Sequence, residues 1–327
     1  MRNSSIFERT LIVATSALAL LAPLPATPQE LPKKPVTLVV GFAAGGAADM
    51  AARIIAKKLS ENIGQQVVVD NRAGAGGNIA HEAVARAEPD GATILLGSIG
   101  PLAIAPHLTK VGYDPQKDLA PLTMAVNFPN VLVVHSGLGV KTLAEFIALA
   151  KKKPGALNYA STGAGSASHL AGELFNQRAG VEIVHVPYKG GAPALTDLLG
   201  ERVEAYYSTP STAAPHIESG RLIPLATTGL TRPSFMPDVP TIAESGFPGF
   251  NASNWYAFVA PGKTPEPILN RWNQELVKAL NAPDVRDELL KHGLTPMPGT
   301  RDELARFIDS ESKTWAQVIK ERKITAD

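Results

Sequence analysis

Two stretches of the chain follow one mechanical plan, and that plan limits the fold more than any other feature. Residues 36–59, VTLVVGFAAGGAADMAARIIAKKL, begin as a buried strand, break at a glycine-rich turn and continue with helical periodicity. Residues 157–175, LNYASTGAGSASHLAGELF, repeat the order of strand, glycine-serine turn and helix. Between and around them, the β-rich runs QQVVVDN, ATILLGS, NVLVVHS, VEIVHVPY and RLIPLATTG alternate with amphipathic stretches. Such alternation predicts an α/β protein with parallel sheets covered by helices, and two such loops predict two lobes facing one another. FPNVLVVH near 128–135 and NASNWYAFVAPG near 251–262 are the expected crossings between lobes. From about residue 264 onward no convincing strand is read, so the C-terminal part is expected to be a helical elaboration. Thr142 with Glu145 and Thr300 with Glu303 fit the capping box. Thr264-Pro265 marks a third helix start, with proline at the first helical position.

A glycine turn leading into a helix suits an anion, because the first helical turn carries unpaired N–H groups and the positive end of the dipole. Phosphate fits poorly: after Gly41 and Gly46 a Walker loop needs Lys and Ser/Thr where this chain has Ala47 and Ala48. Gly41-Phe42-Ala43 also lacks the second glycine of the dinucleotide fingerprint. What remains is a run of backbone N–H groups from Ala44 to Ala48 able to face a small anion such as a carboxylate, or else a turn that only redirects the chain. A third glycine cluster, residues 71–85, is read as close helix packing first and pocket lining second. Tyr188 and Lys189 precede a short helix and suit either a ligand contact or a plain turn. His169, near the first turn of the helix after the second loop, suits a structural hydrogen bond better than a ligand contact.

The chain has 327 residues and a 45% hydrophobic composition, enough for one large or two ordinary cores. Residues 1–28 read as a cleavable signal peptide: Arg2 and Arg9 flank the start, residues 11–22 are apolar, and small residues surround Ala26. That apolar run is too short for a bilayer, which needs roughly 20 residues. Export to the periplasm is therefore expected. Removing the leader takes Arg2, Glu8 and Arg9 and leaves equal numbers of basic and acidic residues. A neutral chain whose longest basic run is Lys151-Lys152-Lys153 lacks the footprint of a nucleic-acid binder; those lysines suit the C-terminus of a helix. There is no cysteine, hence no disulfide or thiolate chemistry. No nucleophile elbow surrounds Ser98, Ser161, Ser166 or Ser168, and the seven histidines show no paired metal spacing. No catalytic residue, metal or cofactor is assigned, and the chain is not expected to be an enzyme.

The motifs GFAAGGAAD, NRAGAGGNIA, PDGATILLGS, YDPQKDLAPLT, NYASTGAGSASHLAGELF, HVPYKGGAPALTDLLG, MPDVPTIAESGFPGF and WYAFVAPGKTP resemble, in order and spacing, the Bug family of extracytoplasmic solute receptors. These are the substrate-binding components of tripartite tricarboxylate transporters, and the resemblance covers essentially the whole mature chain. It implies a two-lobed periplasmic binding protein of the Venus-flytrap type that closes over a small carboxylate and hands it to the membrane subunits of such a transporter. A monomer is expected. The implied division is a signal peptide at 1–28, a first lobe at 29–128 and 253–327, and a second lobe at 129–252. Carried onto this chain, one pincer is Ala44, Gly45, Gly46 and Asp49 and the other Ser161, Thr162, Gly163 and Ser166, with Ser98, Gly100 and Ser208 facing the cleft. His169 and Tyr188 complete the candidate set. Asp49 suits an N-cap or a contact to a cationic or hydroxyl donor on the ligand, with capping preferred. Ala105 stands where the family usually has Asn, and Ser208 where amino-acid-binding relatives carry Asp, so the acid's identity stays open. A receptor feeding a signalling partner and an enzyme acting on a carboxylate are the rival readings.

Overall fold

The computed structural model describes residues 31–325; the proposed leader lies outside them. The first strand, β1 (Val36–Val40), is apolar and buried except at the half-buried Thr37, as suits a strand covered on both faces. It ends in the glycine turn that opens α1 (Ala47–Ile63), whose Ala48, Ala51, Ala52, Ile55 and Leu59 form one buried stripe. There follow β2 (Val67–Asn71), α2 (Asn78–Ala85) and β3 (Thr93–Ser98). A buried π-helical turn, Gly100–Ile104, then runs into the short α3 (Ala105–Leu108) and the long β4 (Leu119–Pro129).

After Asn130 the chain enters β5 (Val131–His135), α4 (Leu143–Lys152), β6 (Leu157–Ser161) and α5 (Ala167–Ala179). Then come β7 (Ile183–Pro187), α6 (Gly191–Leu199), β8 (Ala205–Ser208), α7 (Pro210–Glu218) and β9 (Leu222–Thr227). The return consists of β10 (Ser253–Pro261), α8 (Glu266–Asn281), α9 (Pro283–Lys291), the two-residue β11 (Thr295–Pro296) and α10 (Arg301–Arg322).

Two sheets result, with strand orders β11-β4-β10-β3-β1-β2 and β7-β6-β8-β5-β9. They are mixed, which corrects the expectation of parallel sheets. β1 is parallel to β2 and β3, and β6 to β7 and β8. β10 runs antiparallel to β3 and β4, and β5 antiparallel to β8 and β9. The reason is connectivity: parallel neighbours need a helical crossover, whereas antiparallel ones do not. Here β4 passes into β5 through the single residue Asn130, and β10 comes back from the other sheet without a covering helix. β4, β8 and β10 lie outside the expected β-rich runs, and β11 corrects the expectation of none beyond residue 264.

Both expected capping boxes form, with Thr142 and Thr300 each accepting from the backbone of a glutamate three residues on. Lys151 and Lys152 occupy the last turn of α4. At α8 the helix begins at Glu266 with Pro265 as N-cap, one residue later than expected.

The segments joining the sheets are knitted at one threonine. Asn130 N–H donates to Thr228 Oγ1 at 2.9 Å, and Thr228 N–H donates to the Asn130 carbonyl at 2.9 Å. Thr228 Oγ1 also donates to the Ala252 carbonyl, and Ala252 N–H returns a bond to the Thr228 carbonyl, both at 2.9 Å. Asn130, Thr228 and Ala252 thus fix both chain crossings at one point.

Candidate functional site

The strands β1, β3, β6, β7 and β8 all release their C-terminal ends toward one cavity. In open α/β sheets that is where ligands are held. From β1 and its loop come Phe42 and the first turn of α1, Gly46, Ala47 and Ala48; from β3 come Ser98, Ile99 and Gly100. Facing them are Thr162, Ser166, Ala167 and Ser168 after β6, Gly191 at the start of α6, and Tyr207 and Thr209 around the end of β8. Asn130, Asn254 and Tyr256 come from the chain crossings. None of these side chains carries a charge. Burial raises the phenols of Tyr207 and Tyr256, which therefore remain neutral.

The local geometry suits an anion. Ser166 is the N-cap of α5 and accepts from His169 N–H at 3.3 Å. Its Oγ lies 3.1 Å from Ser168 Oγ, which lies 3.2 Å from Thr162 Oγ1 and accepts from Thr162 N–H at 2.9 Å. Three hydroxyls are thus chained over the positive end of one helix. A hydroxyl can turn its hydrogen toward an incoming acceptor. Across the cavity Gly46 caps α1 with no side chain of its own, leaving that helix's first N–H groups free of side-chain caps. The lips meet directly: Ala43 N–H donates to the Lys189 carbonyl at 3.0 Å.

Of the residues expected from sequence, Gly46, Ser98, Gly100, Thr162 and Ser166 line the cavity. The others do not, for identifiable reasons. Ala44 and Gly45 are exposed in the turn, and the lining of the cavity begins with Gly46, two residues later than the expected pincer. Asp49 is neither the N-cap nor a lining residue. It sits at the third helical position, where Oδ2 accepts from Gly45 N–H and Arg53 Nε, each at 3.0 Å, and Oδ1 lies 2.9 Å from Arg53 Nη2. Burial opposes its charge, but the bonds from Arg53, Gly45 and Asn71 outweigh it and hold the carboxyl below its ordinary value. Asp49 fastens the glycine turn to α1.

Ser161 is fully buried behind the second loop, accepting from Gly163 N–H at 3.0 Å and paired with His185 Nε2. His169 is buried as well; its Nδ1 accepts from Gly165 N–H at 3.1 Å and its ring stacks on His185 with centroids 4.1 Å apart. Both brace the loop from beneath, and the Ser161–His185 pair lies off the cavity. Gly163 packs against Gly76 of the third glycine cluster instead of lining the site. Tyr188 donates to Asp197 Oδ2 at 2.8 Å, and burial together with that carboxylate pushes the phenol up to about 12. Ser208 turns its Oγ to the Thr209 carbonyl. Its neighbours Tyr207 and Thr209 line the cavity, as the alternation of side chains along a strand requires.

Sequence reasoning missed Phe42, Asn130, Ser168, Gly191, Tyr207, Thr209, Asn254 and Tyr256 as lining residues of this cavity. Ser168, two residues past the N-cap, carried a local signal. Among the described residues no cluster of three His, Cys, Asp or Glu could hold a metal.

Residues 51–324 match the model of the tripartite tricarboxylate transporter family receptor, TctC. The chain belongs to this family. BugT of Bordetella pertussis is 38% identical over 95% of both chains. An R. palustris protein solved with adipate is 38% identical with a TM-score of 0.86, covering 90% of this chain and 99% of that one. MatC of Rhodopseudomonas palustris, solved with bound malate, is 33% identical with a TM-score of 0.84, covering 88% and 99%. This TctC-type chain therefore has the two-lobed α/β architecture of periplasmic binding proteins, and its family consists of solute-binding proteins and not enzymes.

Proposed function

We propose that this TctC-type receptor captures a small organic carboxylate in the cavity between its two sheets and delivers it to the membrane subunits of a tripartite transporter. The observation that carries the reading is the chain of hydroxyls on Thr162, Ser166 and Ser168 at the start of α5, facing the uncapped start of α1 in a cavity without a charged side chain. Each helix terminus favours an anion by roughly 0.3–2 kcal/mol, and charge-assisted hydroxyl bonds add to that. The adipate and malate seen in two relatives belong to the same chemical class.

The lobes in this reading are residues 29–128 with 253–327 and residues 129–252, hinged at Asn130 and at 228–252. Binding closes them, and the protein acts as a monomer in the periplasm after removal of residues 1–28. Calorimetry on protein stripped of ligand by unfolding and refolding, against a panel of C3 to C8 mono-, di- and hydroxycarboxylates, tests the proposal. At least one acid should bind with micromolar or better affinity and compact the molecule in solution scattering. A panel of folded titrations without heat or compaction would overturn it.

A further inference from the structure

Three buried side chains of the cavity each keep a polar atom without a protein partner, and two of them form a defined pair. Asn130 and Asn254 come from opposite chain crossings, are 1% and 7% exposed, and meet through Asn254 Nδ2 donating to Asn130 Oδ1 at 3.3 Å. Asn130 Nδ2 and Asn254 Oδ1 have no protein partner, nor has Oγ of the 3% exposed Ser98. Buried amide groups without partners are costly, and these line the cavity. The pair is rigid, because Thr228 holds the Asn130 backbone through both its N–H and its carbonyl.

The amide pair has a property that does not depend on which amide atom is oxygen. One N–H···O bond between two carboxamides consumes an acceptor on one and a donor on the other. What remains without a partner is one amide nitrogen and one amide oxygen, and exchanging oxygen and nitrogen in both side chains leaves the same complement. An ionised carboxylate offers acceptors only. Placed on this pair it would satisfy the donor and set its second oxygen against an amide oxygen. A hydroxyl or a carboxamide both donates and accepts and satisfies the pair completely.

Resting on the carboxylate reading above, we infer that the Asn130–Asn254 pair is a specificity site for an uncharged group that both donates and accepts, a hydroxyl or a carboxamide, on the acid held at the α5 hydroxyls. Ser98 Oγ, able to take either role, supplies a third contact. Alkyl monocarboxylates and unsubstituted dicarboxylates leave the pair unsatisfied.

Matched acids test this by calorimetry: propionate with lactate, butyrate with 3- and 4-hydroxybutyrate, succinate with malate and succinamate, and glutarate with 2-hydroxyglutarate and glutaramate. In the best-binding chain length, the hydroxylated or amidated member should bind about tenfold or more tightly than its plain partner. The hydroxyl and carboxamide arms show which group is read. Asn254→Leu and Asn130→Leu should reduce the preference to below threefold. Asn254→Leu carries the test if Asn130→Leu fails to fold. Plain acids binding as tightly as their partners, or a preference that survives in the folded variants, overturns the inference and leaves the carboxylate reading standing. Silence from every acid overturns both.

Discussion

The proposed closure brings backbone against backbone, and Gly76→Ala tests that directly. Gly76, between β2 and α2, has φ +62°, and a Cβ built on it would overlap the Ala164 carbonyl oxygen in the loop after β6. Opposite it, a Cβ on Gly163 would lie 2.7 Å from the Gly76 backbone. The two loops follow strands of different sheets, so the proposed opening of the lobes would relieve the overlap. An alanine at positive φ costs roughly 1–2 kcal/mol whether the cleft is open or closed. The overlap adds a term in the closed state alone, about 1–3 kcal/mol for a methyl forced into a filled space. A ligand that needs the closed state loses affinity by that second term, between about 5- and 150-fold. Gly64→Ala separates the two costs, because Gly64 has φ +65° and no atom within 4 Å of the added Cβ. It should lower unfolding stability like Gly76→Ala and leave affinity unchanged. Calorimetry with the tightest acid of the panel gives the affinities, and scattering gives the closure. Equal affinities for the two variants would mean that the Gly76–Ala164 approach is no part of the ligand-bound state.

Two further substitutions probe different links. Thr162→Val should weaken that acid by about 1–2 kcal/mol at unchanged stability, whereas Ser166→Ala should lose affinity and also about 1 kcal/mol of stability, since Ser166 is the α5 N-cap; calorimetry paired with urea unfolding separates them, and unchanged affinity in both removes the cluster from the site. His81 is fully buried, with Nδ1–H donating to the Gly77 carbonyl at 2.8 Å and Nε2 accepting from Ser98 N–H at 3.4 Å, and burial lowers its pKa to about 4. The unfolded chain binds that proton near pH 6.5, so the His81 contribution is complete above that pH and is lost as pH falls toward 4, about 3 kcal/mol in all. Urea unfolding between pH 4.5 and 7 should show this slope in wild type and not in His81→Gln; the same slope in both would assign it elsewhere.

What was legible in the sequence lay where one local pattern determines one local structure. Thr142 and Thr300 with their glutamates fixed two helix starts to the residue. The glycine-rich loops after β1 and β6 were recognisable because a strand, a flexible turn and a helix start follow each other without a gap. Asp49 misled for a physical reason: an acidic residue near a helix start suits both the N-cap and the third helical position. The extended φ of −89° and ψ of 175° at Gly46 gives the cap to the glycine, so the aspartate reaches back to Gly45. Ser208 misled by one step of strand parity. Asn130, Tyr207, Thr209 and Asn254 carried no local mark, because tertiary packing at the strand ends and crossings brings them to the cavity, where residues far apart in sequence become neighbours.

The proposed closure gives the distribution of these residues a physical basis. A charged side chain lining the cavity would have to be stripped of water each time the lobes shut, at a cost of several kcal/mol unless it is paired. Orphan N–H groups of α1 and the hydroxyls of α5 carry only partial charge and are already oriented, so they can meet an anion without that penalty. The same economy limits their selectivity: a helix start and a hydroxyl cluster receive one small carboxylate much as they receive another. Discrimination must then come from groups that are buried, rigid and dissatisfied by the wrong partner. In this cavity the side chains that best meet all three conditions are the amides of Asn130 and Asn254, held at the point where Thr228 ties the two crossings together.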